Sequence, residues 1–233
     1  IRITAAEKRI KKRLEEVDAI RGVEREDKSP LLVSSPEDGY DWDAIEVGED
    51  EEIIFKPHPG PQAEFLASTE LEVLYGGSAG GGKSFAIVAD PMRYFGFQSC
   101  NAILLRRTND ELRELIRSTQ LLYPRAYPGA KWSEKKSAWT FPSGATMWMT
   151  YLERDDDVLR YQGQSFTWVG FDELTQYPTP VPWNYMRSRL RTTDPELGPY
   201  VSMRATTNPG GPGHGWVKEM FIDPAPPLQA FDA

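Results

Sequence analysis

One cysteine, Cys100, stands in 233 residues, so no disulfide can form within the chain. No nucleophile signature surrounds that thiol. It reads as a buried structural residue and is compatible with a reducing compartment. Long apolar runs are also missing: none approaches the roughly 20 residues that a membrane-spanning helix needs. No signal-peptide pattern opens the chain. Positive charge is short, with 27 Lys and Arg against 35 Asp and Glu and a net charge of −8. A protein that grips nucleic acid over its whole surface is basic. Any such contact must here be local, supplied by another domain or shared among subunits. There is no internal repeat. The first residue is Ile1 rather than Met, so we expect the natural start to lie upstream.

What is present fits one well-packed domain with an appendage. Ala6, Ile10, Leu14 and Val17 recur at helical spacing among charged residues, which predicts an amphipathic helix over 4–21. Residues 22–52 turn acidic and rich in breakers (Pro30, Pro36, Asp38-Gly39) and read as a linker or acidic strap. Their carboxylates lack the pattern of a calcium loop.

From Pro57 strands and helices alternate. Apolar runs predict strands at 71–75, 102–106, 167–171 and 201–206. Thr108 and Glu111 form a capping box that opens a helix to about Leu122. A helix beginning at Lys83 should end or kink at Pro91. Two alternating runs, 137–141 and 146–151, flank Pro142-Ser143-Gly144-Ala145 as in a hairpin. Further helices are expected over 183–191 and near 216–221. This order implies an α/β fold with a mainly parallel central sheet covered by helices on both faces.

Three segments carry chemistry. Gly77-Ser78-Ala79-Gly80-Gly81-Gly82-Lys83-Ser84 follows the first strand and opens a helix, the full phosphate-loop pattern in the setting it needs. Glycines let backbone N–H groups converge on phosphate oxygens. The helix start adds its positive end. Lys83 offers a point charge to the β- and γ-phosphates, and the Ser84 hydroxyl suits Mg²⁺. About ninety residues later, an apolar strand ends in Asp172-Glu173, the Walker B arrangement. Asp172 at that strand end would face the metal held by Ser84. Glu173 is placed to activate a water, which favours ATP hydrolysis over phosphotransfer to another acceptor. Thr206-Thr207-Asn208 ends a later strand, where short polar side chains can sense the γ-phosphate and its loss.

With these residues in order, the chain resembles the ATPase domain of the large terminase subunit of tailed bacteriophages. The resemblance covers 57–222. It rests on P-G-P-Q-A-E-F-L at 59–66, the phosphate loop, I-L-L-R-R-T at 103–108, L-R-Y-Q-G-Q-S-F at 159–166, V-G-F-D-E at 169–173 and T-T-N-P at 206–209. It implies a phosphate-loop NTPase of the additional-strand type and a motor that uses ATP and Mg²⁺ to package DNA. It implies Gln62 as the adenine reader, through the amide's one donor and one acceptor. It makes Thr206, Thr207 and Asn208 the coupling motif.

In a ring of subunits the segment 159–166 could reach a neighbour's nucleotide. Arg160 is the chosen arginine finger, with Arg106, Arg107, Arg187, Arg189 and Arg191 as rivals. The Arg187, Arg189 and Arg191 run could instead meet DNA phosphates, though subunit contacts or local salt bridges are the preferred reading. Implied partners are sibling subunits in a ring on the portal, the portal protein, the small terminase subunit and double-stranded DNA. The implied location is the bacterial host cytoplasm, transiently at the procapsid, with no membrane involved. Residues 1–56 are expected to be an appendage, 57–223 the ATPase domain and 224–233 the start of a linker to an absent nuclease domain. No nuclease activity is therefore expected. Competing readings are a helicase-like motor and a nucleotide-gated assembly module.

Overall fold

A computed structural model of the chain describes residues 54–77 and 80–227. The expected helix over 4–21, the strap at 22–52 and the last residues, 228–233, lie outside the described residues. So do Ser78 and Ala79 of the glycine-rich loop.

The order is α1 (Pro61–Ala67), β1 (Glu72–Tyr75), α2 (Lys83–Ala89), β2 (Asn101–Arg106), α3 (Asn109–Ala126), β3 (Lys131–Ser133), β4 (Ala138–Thr140), β5 (Thr146–Tyr151), β6 (Trp168–Phe171), α4 (Val181–Arg187), β7 (Ser202–Thr206) and α5 (His214–Phe221). All seven strands join one sheet in the order β1-β7-β6-β2-β5-β4-β3. The five from β1 to β5 in that order are parallel; β4 and β3 add an antiparallel end. Side-chain alternation sends β2 into two cores. Ala102 and Leu104 face the layer of α2 and α3, while Ile103 and Leu105 face that of α4 and α5. Both faces are covered, as the near-continuous apolar run of a central parallel strand requires.

Local sequence explains most boundaries. The α2 helix stops at Ala89, and a 3₁₀ turn, Asp90–Tyr94, takes over at Pro91. Thr108 caps α3, accepting from the Glu111 N–H at 3.4 Å and donating to its carboxylate at 2.7 Å. That helix runs past the expected end at Leu122, through Pro124, to Ala126. Pro124 and Gln120 are exposed, so water can reach the carbonyl that Pro124 leaves without a donor. Buried Tyr123 and Ala126 hold the last turn down.

The expected hairpin is present as β4 and β5, with β3 added beyond it. Trp132 therefore lies on β3, outside the hairpin, tilted against Trp139 at 5.6 Å between centroids. Trp139 is buried against Tyr123 and Phe141. The Trp148 indole donates to Asn101 at 2.9 Å. The α4 helix ends at Arg187 rather than 191, because Phe166 pairs with 189–191. Its N–H meets the Arg189 carbonyl and its carbonyl accepts from Arg191, both at 2.9 Å. Cys100 is buried as expected, and burial pushes its thiol up to about 12.

The topology fixes the site. β7 lies between β1, which leads into the glycine-rich loop, and β6, which ends at Asp172. Tyr75 is level with Thr206, and Phe171 with Ala205. The carboxyl ends of β1, β7, β6 and β2 thus share one edge. From β7 the chain turns into α5, whose start packs on the segment after β6. Gly213 N–H donates to the Thr175 carbonyl and the Trp216 indole to the Tyr177 carbonyl, both at 2.8 Å.

Candidate active site

The glycine-rich loop is braced from inside. Gly82 has φ +70°, a left-handed conformation that suits glycine. A Cβ there would lie 2.5 Å from Gln62 Nε2. That amide donates to the Gly82 carbonyl at 2.9 Å, and its oxygen accepts from the His58 N–H at 2.6 Å. Gln62 is buried, with its donor and acceptor both engaged on protein, so pairing with adenine requires exchanging those bonds. The Tyr75 hydroxyl donates to the Gly81 carbonyl at 2.6 Å. Lys83 is buried and donates to the Gly77 carbonyl at 3.1 Å, across the mouth of the loop. Ser84 is exposed at the start of α2.

Two carboxylates leave β6 with different surroundings. Asp172 is 1% exposed. One oxygen accepts from Thr206 Oγ1, the other from Arg106 Nη1. Burial holds this carboxyl above the usual range, while Arg106 and Thr206 pull it back down. Glu173 has φ +56°, one of two non-glycine residues with positive φ among those described. Its side chain lies on Asn208. Asn208 donates to it twice, from Nδ2 at 2.7 Å and from N–H at 3.2 Å. The Glu173 N–H in turn reaches Thr206 Oγ1 at 3.4 Å. Thr207 bonds Thr175 at 2.8 Å. The three polar residues that end β7 therefore hold the carboxylates and the segment that follows them.

A cavity of about 270 Å³ opens beside this cluster, lined by Arg106, Glu111, Glu173, Thr175, Asn208 and neighbours. Arg106 and Glu111 join Glu173 as its charged lining but were singled out for other reasons in the sequence, one as a rival finger and one as a helix cap. Their signal was position: Arg106 ends an apolar strand and Glu111 lies in the first turn of the helix that follows it.

Arg160 lies elsewhere, on the turn Asp155–Tyr161. It is exposed and bonds the carbonyls of Asp157 at 2.9 Å and Tyr151 at 3.0 Å. Arg107 pairs with Asp155 at 3.0 Å and lies over the Tyr177 ring. Arg187 pairs with Glu72 at 2.5 Å, and Arg189 lies over Tyr185. Local pairing thus accounts for Arg187.

The donors at this edge fit a magnesium nucleotide. Ser84 hydroxyl and Asp172 carboxylate are hard oxygen ligands. The buried Asn208 Oδ1 has no hydrogen-bond partner.

A family model described as the large terminase subunit, T4-like virus type, N-terminal, matches residues 74–223. The chain belongs to the large terminase subunit family. The match begins within β1 and extends past α5, so it takes in the end of β1 and all of β2 to β7. No curated protein matches this terminase chain. Among solved structures it is similar to the large terminase of a thermophilic bacteriophage, at 19% identity and a TM-score of 0.53 over 72% of this chain and 43% of that one. The same thermophilic-phage protein in complex with ADP aligns at 22% identity and 0.53, over 70% of this chain and 41% of that one. The N-terminal domain of the DNA packaging ATPase of bacteriophage phi29 aligns at 16% and 0.51, over 74% and 91%. These likenesses show the fold. The terminase chain spans less than half the length of the thermophilic-phage protein.

Proposed function

We propose that this chain is an ATPase motor that hydrolyses ATP with Mg²⁺ and moves double-stranded DNA into a viral procapsid. The observation that carries the reading is the grip of Thr206 and Asn208 on Asp172 and Glu173. One strand end touches both carboxylates and lies next to the phosphate loop. A change there is felt by all three.

Backbone N–H groups from Gly77 to Ser84, including Ser78, Ala79, Gly80 and Gly81, wrap the phosphates. Lys83 leaves the Gly77 carbonyl for the β- and γ-phosphates. Ser84 and Asp172 would hold Mg²⁺, which when bound supplies positive charge against the phosphate oxygens. Glu173 turns from Asn208 to a water, orients it in line with the γ-phosphorus and takes its proton. Asn208, released, reports the γ-phosphate to β7 and α5. Gln62 acts at the adenine end, directly or through its hold on Gly82. Arg160 enters a neighbouring subunit's site and offsets developing charge there, a contribution of about 10³–10⁵ in rate for arginine fingers. The motor works as a ring on the portal, with the small terminase subunit and duplex DNA as partners, in the host cytoplasm and at the procapsid.

Glu173→Ala should lower hydrolysis by about 10²–10⁴ while leaving ATP binding intact. Undiminished turnover removes Glu173 as the base. Mixing Arg160→Ala subunits with Glu173→Ala subunits should restore ATPase, because each supplies what the other lacks. A verified mixed ring without recovery rules out Arg160 acting across subunits.

A further inference from the structure

The Arg106 guanidinium lies on the same Asp172 carboxylate that the proposed reading gives to the metal. Its Nη1 donates to Asp172 Oδ2, while Thr206 takes Oδ1. Both oxygens are thus engaged, and Asp172 is shut off from water. A buried carboxylate needs a counter-charge, and Arg106 provides it. A divalent cation and a guanidinium on one buried carboxylate repel each other strongly. Arg106 and the metal therefore compete.

Arg106 has a second place to go. Its Nε is buried without a hydrogen-bond partner and lies 3.6 Å from Glu111 Oε2, within ion-pair range but too long for a hydrogen bond. Glu111 is 40% exposed and lines the same cavity as Arg106 and Glu173. A short movement into that space lets Arg106 complete its bond to Glu111 and clears Asp172. We propose that Arg106 is a mobile counter-charge that holds Asp172 until a divalent cation claims it, then transfers to Glu111 beside the catalytic carboxylate. The inference rests on the reading of Asp172 as a metal-bearing residue. It makes Arg106 a positioning residue that sets how tightly the metal binds.

Competition of this kind multiplies affinity by the fraction of time the site is free. An arginine seated on Asp172 about nine-tenths of the time weakens metal binding about tenfold. The probe is Mn²⁺ with saturating ADP, its free concentration read by electron paramagnetic resonance, so the readout is binding rather than turnover. Arg106→Gln should tighten Mn²⁺ binding about tenfold. Glu111→Gln keeps a side chain that can bond Thr108 and should weaken Mn²⁺ binding severalfold, but only when Arg106 is present. In the Arg106→Gln background the same change should have no effect.

Unchanged or weaker Mn²⁺ binding in folded Arg106→Gln overturns the proposal. So does a Glu111→Gln effect of equal size in both backgrounds, which signals a through-space charge effect rather than a transfer. Should Arg106→Gln fail to fold, Glu111→Gln alone decides, and an unchanged affinity refutes the transfer. Asp172→Asn tests the underlying reading separately. If it leaves Mn²⁺ binding intact, Asp172 is no ligand, whatever Arg106 does.

Discussion

Glu173 and Gly82 are held in backbone conformations that their neighbours enforce. At Gly82 two costs can be separated. Gly82→Ala meets Gln62 and must also adopt a left-handed φ, so ADP binding should weaken by about tenfold or more. Adding Gln62→Ala removes the collision but not the φ cost, and calorimetric titration should show partial recovery. Cys100 gives a second residue-scale test. A thiol pushed up to about 12 holds almost no thiolate at neutral pH, so a disulfide reagent should modify it only as fast as the chain unfolds. Asp172, Glu173 and the phosphate loop were legible because each follows directly from an apolar strand. Arg106 was visible only as a strand-end arginine. Its role depends on β2 lying beside β6, a pairing between distant segments that no local spacing encodes. The same holds for the bond between Asn208 and Glu173, which comes from β7 inserting between β1 and β6.

Strand and helix ends are joined through a buried charge cluster. Asp90, directly after α2, accepts from the Trp168 indole on β6 at 2.8 Å and pairs with Arg93 at 2.8 Å and with Arg204 on β7 at 3.5 Å. Arg204 is 1% exposed and also donates to the carbonyls of Ser68 and Glu70, ahead of β1. Removing one partner strands the other. Asp90→Ala should cost about 3–5 kcal/mol in urea unfolding, and Asp90→Ala with Arg204→Met should recover much of that. Nothing in the sequence marked this cluster, since Arg204 sits between Met203 and Ala205 in the strand and pairs across a layer. The elements themselves were more legible. Capping at Thr108, the break at Pro91 and the turn at 142–145 are local signals. The three residues of β3 carry too short a pattern to register, and the last turn of α3 survives Pro124 through tertiary burial of Tyr123.

Across the whole molecule, acidity limits how the chain can meet DNA. With a net charge of −8, a single copy has little to offer a phosphate backbone. Duplex binding by the monomer should be weak at physiological salt, with a Kd of about 10⁻⁴ M, and should fall steeply as salt rises. Assembly should strengthen it by presenting several local contacts at once, measurable by fluorescence anisotropy at fixed salt. Among the described residues no helix is long and apolar enough to cross a membrane. One contact made far from the charges reaches furthest. Gly213 lies against the backbone of 175–177 so closely that a Cβ would stand 2.0 Å from the Tyr177 carbonyl. That tight seam leaves α5 little freedom to slide independently of the segment beyond Glu173. A spectroscopic label on exposed Glu219, at the outer face of that helix, would then serve as an external gauge of the nucleotide cycle without touching the site itself.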